Sequence, residues 1–197
     1  MSAELAARVA AAVAALPVRN PIVLIDGPSG AGKSTLTDAL ITQWPGDAAP
    51  ELVRLDDLYP GWAGLAAGSH LVATELLTPL RETGIGRWRT WNWIAGHPGE
   101  WHEVRADRPL VVEGCGALSQ ASARCADLRI WLTADDAVRK RRALARDRGA
   151  FDAHWEMWDA QFAEFVRTQH PLALADLILD GTPAPSPPVR PGSRFSA

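Results

Sequence analysis

The sequence is poor in several residue types that mark particular classes of protein. Among its 197 residues only Cys115 and Cys125 are cysteines, and they form no CxxC motif and accompany no pair of histidines. This argues against a disulfide framework or a cysteine-based metal site and predicts two reduced thiols in the cytoplasm. No run of about 18 apolar residues is present, so no membrane-spanning helix is predicted. No basic segment precedes the apolar run 9–16, so a secretion signal is not predicted either.

A strong positive charge is also absent. Lys and Arg total 20 against 23 Asp and Glu, which gives a formal net charge of −3. A mildly acidic chain is poorly suited to coating nucleic acid or an anionic membrane, so neither is expected as a partner. Only Lys33 and Lys140 are lysines, and Tyr59 is the single tyrosine beside nine tryptophans. The scarcity of lysine fits codon bias toward arginine, whereas the tryptophans need an explanation of their own.

The remaining composition, 47% apolar and 22% charged, is that of one globular domain. Short apolar runs alternate with segments of helical periodicity, an order typical of a parallel sheet with right-handed crossovers. We therefore predict an α/β fold with a five-stranded parallel sheet flanked by helices. The predicted strands are residues 22–25, 51–55, 109–112, 128–132 and 176–179, and the predicted helices are residues 3–16, 33–44, 69–81, 135–148 and 152–168.

Three further features complete the predicted organisation. Ser69 is expected to cap the helix 69–81, and the Trp-rich segment 84–99 is expected to be irregular. A single domain is predicted over residues 1–181. Residues 182–197 contain five prolines and are predicted to form a flexible tail.

A glycine-rich motif directly follows the first predicted strand. Residues 27–34 fit the pattern G-x-x-x-x-G-K-[ST] between a strand and a helix. In that pattern backbone amides converge on phosphate oxygens, the lysine follows the β- and γ-phosphates, and the Ser34 hydroxyl can ligate Mg²⁺. The sequence thus predicts a P-loop NTPase fold. The expected ATP-binding residues are Gly27, Pro28, Ser29, Gly30, Ala31, Gly32, Lys33, Ser34 and Thr35.

Acidic residues follow two other predicted strands, at the sheet edge where α/β proteins bind ligands. A carboxylate of Asp56 or Asp57 could accept a hydroxyl proton or hold Mg²⁺ through water, although both residues also suit a turn. Glu113 is the better candidate Mg²⁺ ligand, together with Ser34. The glycine after Glu113 and the lack of an N-K-x-D segment favour a small-molecule kinase over a motor-type ATPase or a GTPase.

Arginines are concentrated on the predicted helix 135–148. Arg139, Arg142 and Arg146 are spaced i, i+3 and i+7, so one helix face carries three guanidinium groups. In a chain with a phosphate-binding loop, this pattern is typical of a lid, here residues 135–150, that stabilises the transferring phosphoryl group. A solvated basic face is the alternative.

These motifs together resemble the uridine kinase-like branch of P-loop small-molecule kinases over about residues 20–181. The segment 56–59 resembles the family's D-x-F-Y motif, which implies that Asp56 is the catalytic base and Tyr59 a substrate-pocket residue. The segment 91–93, followed by His97, resembles its Y-D-F…H motif, whose members surround the acceptor. This implies acceptor-binding roles for Trp91, Asn92, Trp93 and His97, and for Asp57 nearby. Glu113-Gly114 and the three spaced arginines also match the family.

The tryptophans divide into two groups. Trp62, Trp88, Trp91, Trp93 and Trp101 lie within forty residues, where they could wall an acceptor pocket, form the core of a loop-rich region or, least consistently with the charge, bind single-stranded nucleic acid. Trp131, Trp155 and Trp158 are expected in the core. Trp62 and Trp93 are included among the expected acceptor-binding residues.

The expected function is an ATP- and Mg²⁺-dependent kinase that phosphorylates a hydroxyl of a small molecule. Lys33 and the three spaced arginines would contact the phosphoryl group, and Ser34 and Glu113 would hold Mg²⁺. The alternatives are a kinase for a sugar or vitamin precursor rather than a nucleoside, and a regulatory protein that binds ATP without transferring phosphate. The acceptor, the choice of ATP or GTP and the oligomeric state stay open at this stage.

Overall fold

The computed structural model describes residues 2–146, 149 and 151–182, and its centre is a parallel sheet. The strands are β1 (Ile22–Asp26), β2 (Glu51–Arg54), β3 (Ile85–Asn92), β4 (His97–Arg105), β5 (Leu110–Glu113), β6 (Leu128–Thr133) and β7 (Leu177–Asp180). Five of them form the sheet in the order β2-β5-β1-β6-β7, and β3 pairs with β4 in a separate hairpin. All pairings in the five-stranded sheet are parallel. The predicted α/β class and the five predicted strands are confirmed.

The helices are α1 (Ser2–Ala14), α2 (Lys33–Thr42), α3 (Leu65–Leu71), α4 (Thr78–Thr83), α5 (Gln120–Ala123), α6 (Asp136–Arg146), α7 (Trp155–Gln169) and α8 (Pro171–Leu174). Short helical turns precede α3, α4 and α7 at residues 55–57, 72–77 and 152–154. Of the predicted lid, residues 147, 148 and 150 lie outside the described residues, as does the predicted tail from residue 183 onward.

The central strand β1 is buried along its whole length. Ile22 and Leu24 belong to one apolar cluster, together with Trp131 of β6 and residues of α7. Val23 and Ile25 belong to the other, which includes residues of α1 and α2. Successive side chains of a strand point to opposite faces, so the sheet is covered on both sides. This explains the uninterrupted apolar run in the sequence.

The expectation of an irregular segment at residues 84–99 is wrong. β3 and β4 form an antiparallel hairpin, and Trp88 of β3 stacks on His102 of β4 with ring centroids 4.5 Å apart. The glycines and Pro98 suggested a loop, but Gly96 lies in the tight turn that joins the two strands. The turn contains Gly96 at a φ of 68°, and the Asn92 side chain accepts hydrogen bonds from the amides of Ile94 and Ala95.

The start of the helical region 65–83 also differs from the prediction. Ser69 does not cap a helix, because it lies inside α3, is buried and donates a 2.6 Å hydrogen bond to the carbonyl of Gly116. The helix begins four residues earlier, at Leu65, where Gly64 is its N-cap. Serine is a common N-cap residue, but the hydroxyl of Ser69 forms its hydrogen bond with a different segment of the chain.

None of the helices in the described ranges is long and apolar enough to cross a membrane.

The hairpin contacts the helical region through a close backbone approach. A β-carbon on Gly86 would lie 2.2 Å from the carbonyl oxygen of Leu76. Gly86→Ala should therefore push the hairpin away and lower the free energy of unfolding by about 1–3 kcal/mol. The matched control is Gly96→Asn, because Gly96 lies in open space and asparagine tolerates its positive φ. Urea unfolding of both variants measures the difference, and equal stabilities would contradict the prediction.

Candidate functional site

The glycine-rich loop lies between β1 and α2, as its motif requires. Its curvature depends on glycine, since Gly27 and Gly30 have φ values of 147° and 79°. A β-carbon on either would lie 2.0 Å from a carbonyl oxygen, that of Leu132 for Gly27 and that of Arg139 for Gly30. The loop is thus packed directly against β6 and α6, and only glycine permits that approach.

Lys33 opens α2 and is almost completely buried. Its ammonium donates hydrogen bonds of 2.8 Å and 3.1 Å to the carbonyls of Gly27 and Pro28, and it lies 3.4 Å from the Sγ atom of Cys115. Burial opposes the charged form, but nearby acidic groups outweigh it and raise the pKa of Lys33 above its usual 10.5. The site therefore holds a positive charge beside the loop.

Two predicted acids lie near this charge. Glu113, at the end of β5, is buried, and its Oε1 atom lies 3.3 Å from Nε of Arg54. Burial raises the pKa of Glu113, against the lowering effects of Lys33, a hydrogen bond from Ser34, and Arg54. Asp56 lies in the turn after β2, and its charge influences Glu113 and Lys33 alike. Strand ends thus bring acids from distant positions to one edge of the sheet.

Asp26, the last residue of β1, is an acid that sequence reasoning missed. It is completely buried and accepts hydrogen bonds from three backbone amides: Gly27 at 2.6 Å, Gly116 at 3.0 Å and Leu118 at 2.8 Å. Burial raises its pKa from 3.8 to about 6, although these hydrogen bonds and Lys33 act in the opposite direction. It ties the loop to the segment after β5. In the sequence, the feature that could have identified Asp26 is its position directly after the apolar run 22–25.

A cavity of about 610 Å³ opens beside the loop. Its lining includes many of the residues proposed from the sequence: Ser29, Gly30, Gly32, Lys33, Ser34, Thr35, Asp56, Tyr59, Trp62, Trp93, Glu113, Arg142 and Arg146. It also includes Cys115, Phe151 and Trp158, which were not proposed as site residues. Trp158 is also buried, as predicted, so it combines a core position with a surface on the cavity.

Other proposed residues do not line this cavity. Asp57 follows Asp56 in the same turn, and partial desolvation of its carboxyl, followed by the Asp56 charge, raises the pKa of Asp57. Asn92 forms the hairpin turn, and exposed His97 contacts the carbonyl of Pro98 through Nδ1 at 2.8 Å. Trp91 lies near the end of β3, whereas Trp93 lies in the turn that follows the strand and does line the cavity. Gly27, Pro28 and Ala31 shape the loop behind the cavity.

The three arginines of the predicted lid are placed differently. Arg139 is buried between two carboxylates, with N–O distances of 2.6 Å to Asp136 and 2.8 Å to Asp159, and lies over the ring of Trp155. Arg142 faces the cavity and donates a 3.0 Å hydrogen bond to the carbonyl of Gly181. Arg146 also lines the cavity. Helical spacing that places three arginines on one face therefore does not give them the same surroundings.

Aromatic rings form one wall of the cavity. Trp62 contacts Trp93 at 5.0 Å, Phe151 at 5.3 Å and Trp158 at 6.4 Å between ring centroids, and Tyr59 contacts Trp158 at 4.8 Å. The indole nitrogen of Trp93 donates a 2.9 Å hydrogen bond to the backbone carbonyl of Asp56. Trp88 and Trp101 belong to the hairpin away from this wall, and Trp101 is 56% exposed.

The sheet order, the loop and the strand-end acids define the fold of the P-loop kinases, and comparison with solved structures agrees. A possible uridine kinase from Bacillus stearothermophilus superposes with a TM-score of 0.63 and 14% identity, covering 90% of this chain and 98% of that one. A protein provisionally described as a fructose transport system kinase, from Silicibacter sp. TM1040, gives 0.51 and 20% identity, covering 88% and 98%. No family model and no curated protein matches the sequence. The resemblance to uridine kinase-like proteins is thus confirmed for the fold.

The buried carboxyl of Asp26 makes stability depend on pH. Because its pKa is raised from 3.8 to about 6, its contribution to stability is complete below pH 3.8 and is lost as the pH rises through 6. Asp26→Asn cannot ionise, so it should reduce the fall in unfolding free energy between pH 4 and pH 7 by about 2 kcal/mol. Urea unfolding of both proteins at the two pH values measures this. An equal fall in both would show that Asp26 does not titrate in that range.

Proposed function

We propose that this protein is a kinase that transfers the γ-phosphoryl group of ATP to a hydroxyl group of a small molecule, with Mg²⁺ as cofactor. The observation that carries the proposal is the single cavity surface shared by Lys33, Asp56 and two arginines. It offers cations for the phosphoryl group and a carboxylate for the acceptor within one enclosed space. The kinase descriptions of two proteins with this fold, one for uridine and one linked to fructose transport, support the same class of reaction.

The phosphate contacts would come from the loop and α6. The backbone amides of residues 29–34 and the ammonium of Lys33 would bind the phosphates, with the N-terminus of α2 directed at them. Lys33 now donates to carbonyls of its own loop, so phosphate oxygens would replace those acceptors. Arg142 and Arg146 would compensate the negative charge that spreads over the transferring group. Arg139 would act by holding α6 against α7.

The donor set at the strand ends fits Mg²⁺. Glu113 and Asp56 supply carboxylate oxygens, Ser34 supplies a hydroxyl, and all three side chains line the same cavity. No group of three acidic, histidine or cysteine side chains in the described part of the chain could hold a metal by itself. This is the pattern expected for Mg²⁺, which keeps several waters and is completed by substrate phosphates. When bound, it would neutralise charge on the phosphates.

Asp56 would act as the general base. Its position between the aromatic wall and Glu113 would let its carboxylate accept the proton of the acceptor hydroxyl as that oxygen attacks the γ-phosphorus. The hydrogen bond from Trp93 to the Asp56 carbonyl would hold the turn in place. Closure of the arginine-bearing helix would exclude water, which otherwise competes with the acceptor.

Lys33→Ala should lower phosphoryl transfer at least about a hundredfold, because it removes a positive charge that would stabilise the transition state. The matched control is Lys140→Ala, since this second lysine is exposed, pairs with Glu156 at 2.8 Å and does not line the cavity. Transfer of label from γ-labelled ATP measures the rates, and circular dichroism checks the fold. Full activity of Lys33→Ala would contradict the assignment of the phosphate contact.

Asp56→Asn should lower kcat about 10²–10⁴-fold while ATP affinity changes little, because the amide keeps the shape but cannot accept the proton. Asp57→Asn is the control, since that side chain does not line the cavity. Steady-state kinetics together with ATP binding separate the two effects. Equal losses of turnover and ATP affinity would mark Asp56 as structural. ATP binding without transfer to any acceptor, in the unaltered protein, would instead indicate a regulatory protein.

A further inference from the structure

The aromatic wall is the part of the cavity that the phosphoryl-transfer machinery does not use. Tyr59, Trp62, Trp93, Phe151 and Trp158 all line the cavity, and their ring contacts join them into one continuous surface. Asp56 adjoins this surface, because the carbonyl of the same residue accepts the hydrogen bond from Trp93. A molecule whose hydroxyl reaches Asp56 would therefore place the rest of its body against these rings.

The polar atoms of the wall are largely engaged or inaccessible. The hydroxyl of Tyr59 donates a 2.7 Å hydrogen bond to the carbonyl of Cys115, and the indole nitrogen of Trp93 donates to Asp56. The indole nitrogen of Trp158 is buried and has no hydrogen-bond partner among the described residues. Phe151 has no polar atom. The wall thus offers a bound molecule little beyond apolar contact, with the indole nitrogen of Trp62 as the remaining ring donor.

The ring faces show where a flat group can stack. Trp62 stacks on His154 at 4.3 Å and on Phe151 at 5.3 Å, with interplanar angles of 14° and 16°. These contacts use part of the Trp62 ring surface within the protein. Trp93 is 40% exposed, and its one ring contact in the described ranges is tilted by 57°. It leaves a face on which the planar body of a bound molecule can stack.

We propose that the acceptor is an alcohol with an apolar, planar body, rather than a nucleoside or a sugar. The inference rests on the proposed kinase function and names its substrate class. A pyrimidine base would bring two carbonyls and an N–H group to a wall that leaves most of them without partners. Each unpaired polar group lowers affinity about tenfold or more. The hydroxyls of a sugar would meet the same cost. The 610 Å³ cavity also has to admit the triphosphate, so the body is small.

Binding and transfer are measured separately, with four hydroxyl compounds as probes: 2-phenylethanol, uridine, fructose and choline. Ligand-observed NMR titrations of the full chain, with a non-hydrolysable ATP analogue present, give the dissociation constants. Transfer of label from γ-labelled ATP gives kcat/KM. We expect 2-phenylethanol to bind at least about tenfold more tightly than each of the other three and to be the preferred acceptor.

The variants exploit the exposure of Trp93, whose replacement does not threaten the core. Trp93→Ala should weaken 2-phenylethanol binding at least about tenfold, while Trp93→Phe, which keeps a ring face, should stay within about threefold of the unaltered protein. Trp101→Ala is the control, because that ring is exposed on β4 and does not line the cavity. Binding of the ATP analogue should be the same in all three.

The outcomes separate the two proposals. Tightest binding of 2-phenylethanol without transfer to any probe would support the apolar acceptor site and overturn the kinase function. Tighter binding of uridine, fructose or choline would overturn the apolar site, and so would the absence of binding by all four probes at 20 mM. Labelled product from one of those three polar probes would still support the kinase. Unchanged binding in Trp93→Ala would also overturn the proposed wall.

Discussion

The glycine-rich loop is in such close contact with its neighbours that Gly27 and Gly30 have no room for a side chain. A β-carbon on Gly27 would lie 2.0 Å from the carbonyl oxygen of Leu132, and one on Gly30 would lie 2.0 Å from that of Arg139. The C-terminal edge of β7 approaches equally closely, since a β-carbon on Gly181 would lie 2.3 Å from the carbonyl of Ala31. Backbone from β6, α6 and the end of β7 is therefore packed against one loop. These neighbours hold the shape of the loop, and the other parts of the candidate site lie around it.

The electrostatics of the site follow from that packing. Lys33 is buried among acidic groups that keep it charged, while the same burial raises the pKa values of Asp26 and Glu113. Desolvation disfavours the charged forms of Lys33, Asp26 and Glu113 alike. Lys33 stays charged because the acidic groups around it outweigh this effect. A buried cation beside converging amides is suited to an anion with several oxygens, such as a triphosphate. The aromatic wall of the same cavity offers an apolar environment, and Asp56 adjoins this wall through the hydrogen bond from Trp93.

Much of the fold could be predicted because its signals are local. The five sheet strands appear as short apolar runs, and their ends fall within one residue of the prediction. The hairpin was missed since its strands are half exposed and carry glycine and proline, so no apolar run marks them. Ser69 shows the related limit for helices. Its type favours a cap, but its hydroxyl bonds to Gly116, forty-seven residues away, and no local pattern contains that partner.

For the site, the sequence by itself determined the glycine-rich loop, because a turn this tight directly after a strand demands glycines at fixed positions. It also determined that acids end the neighbouring strands. Only the tertiary structure decided which of the three arginines on one helix face line the cavity, because Asp159 of another helix binds Arg139. Likewise, only the fold brought Phe151 and Trp158 to Trp62 and Trp93. Residue type and spacing reflect the local conformational requirements of the backbone. The contacts of a side chain depend instead on which distant segments pack beside it.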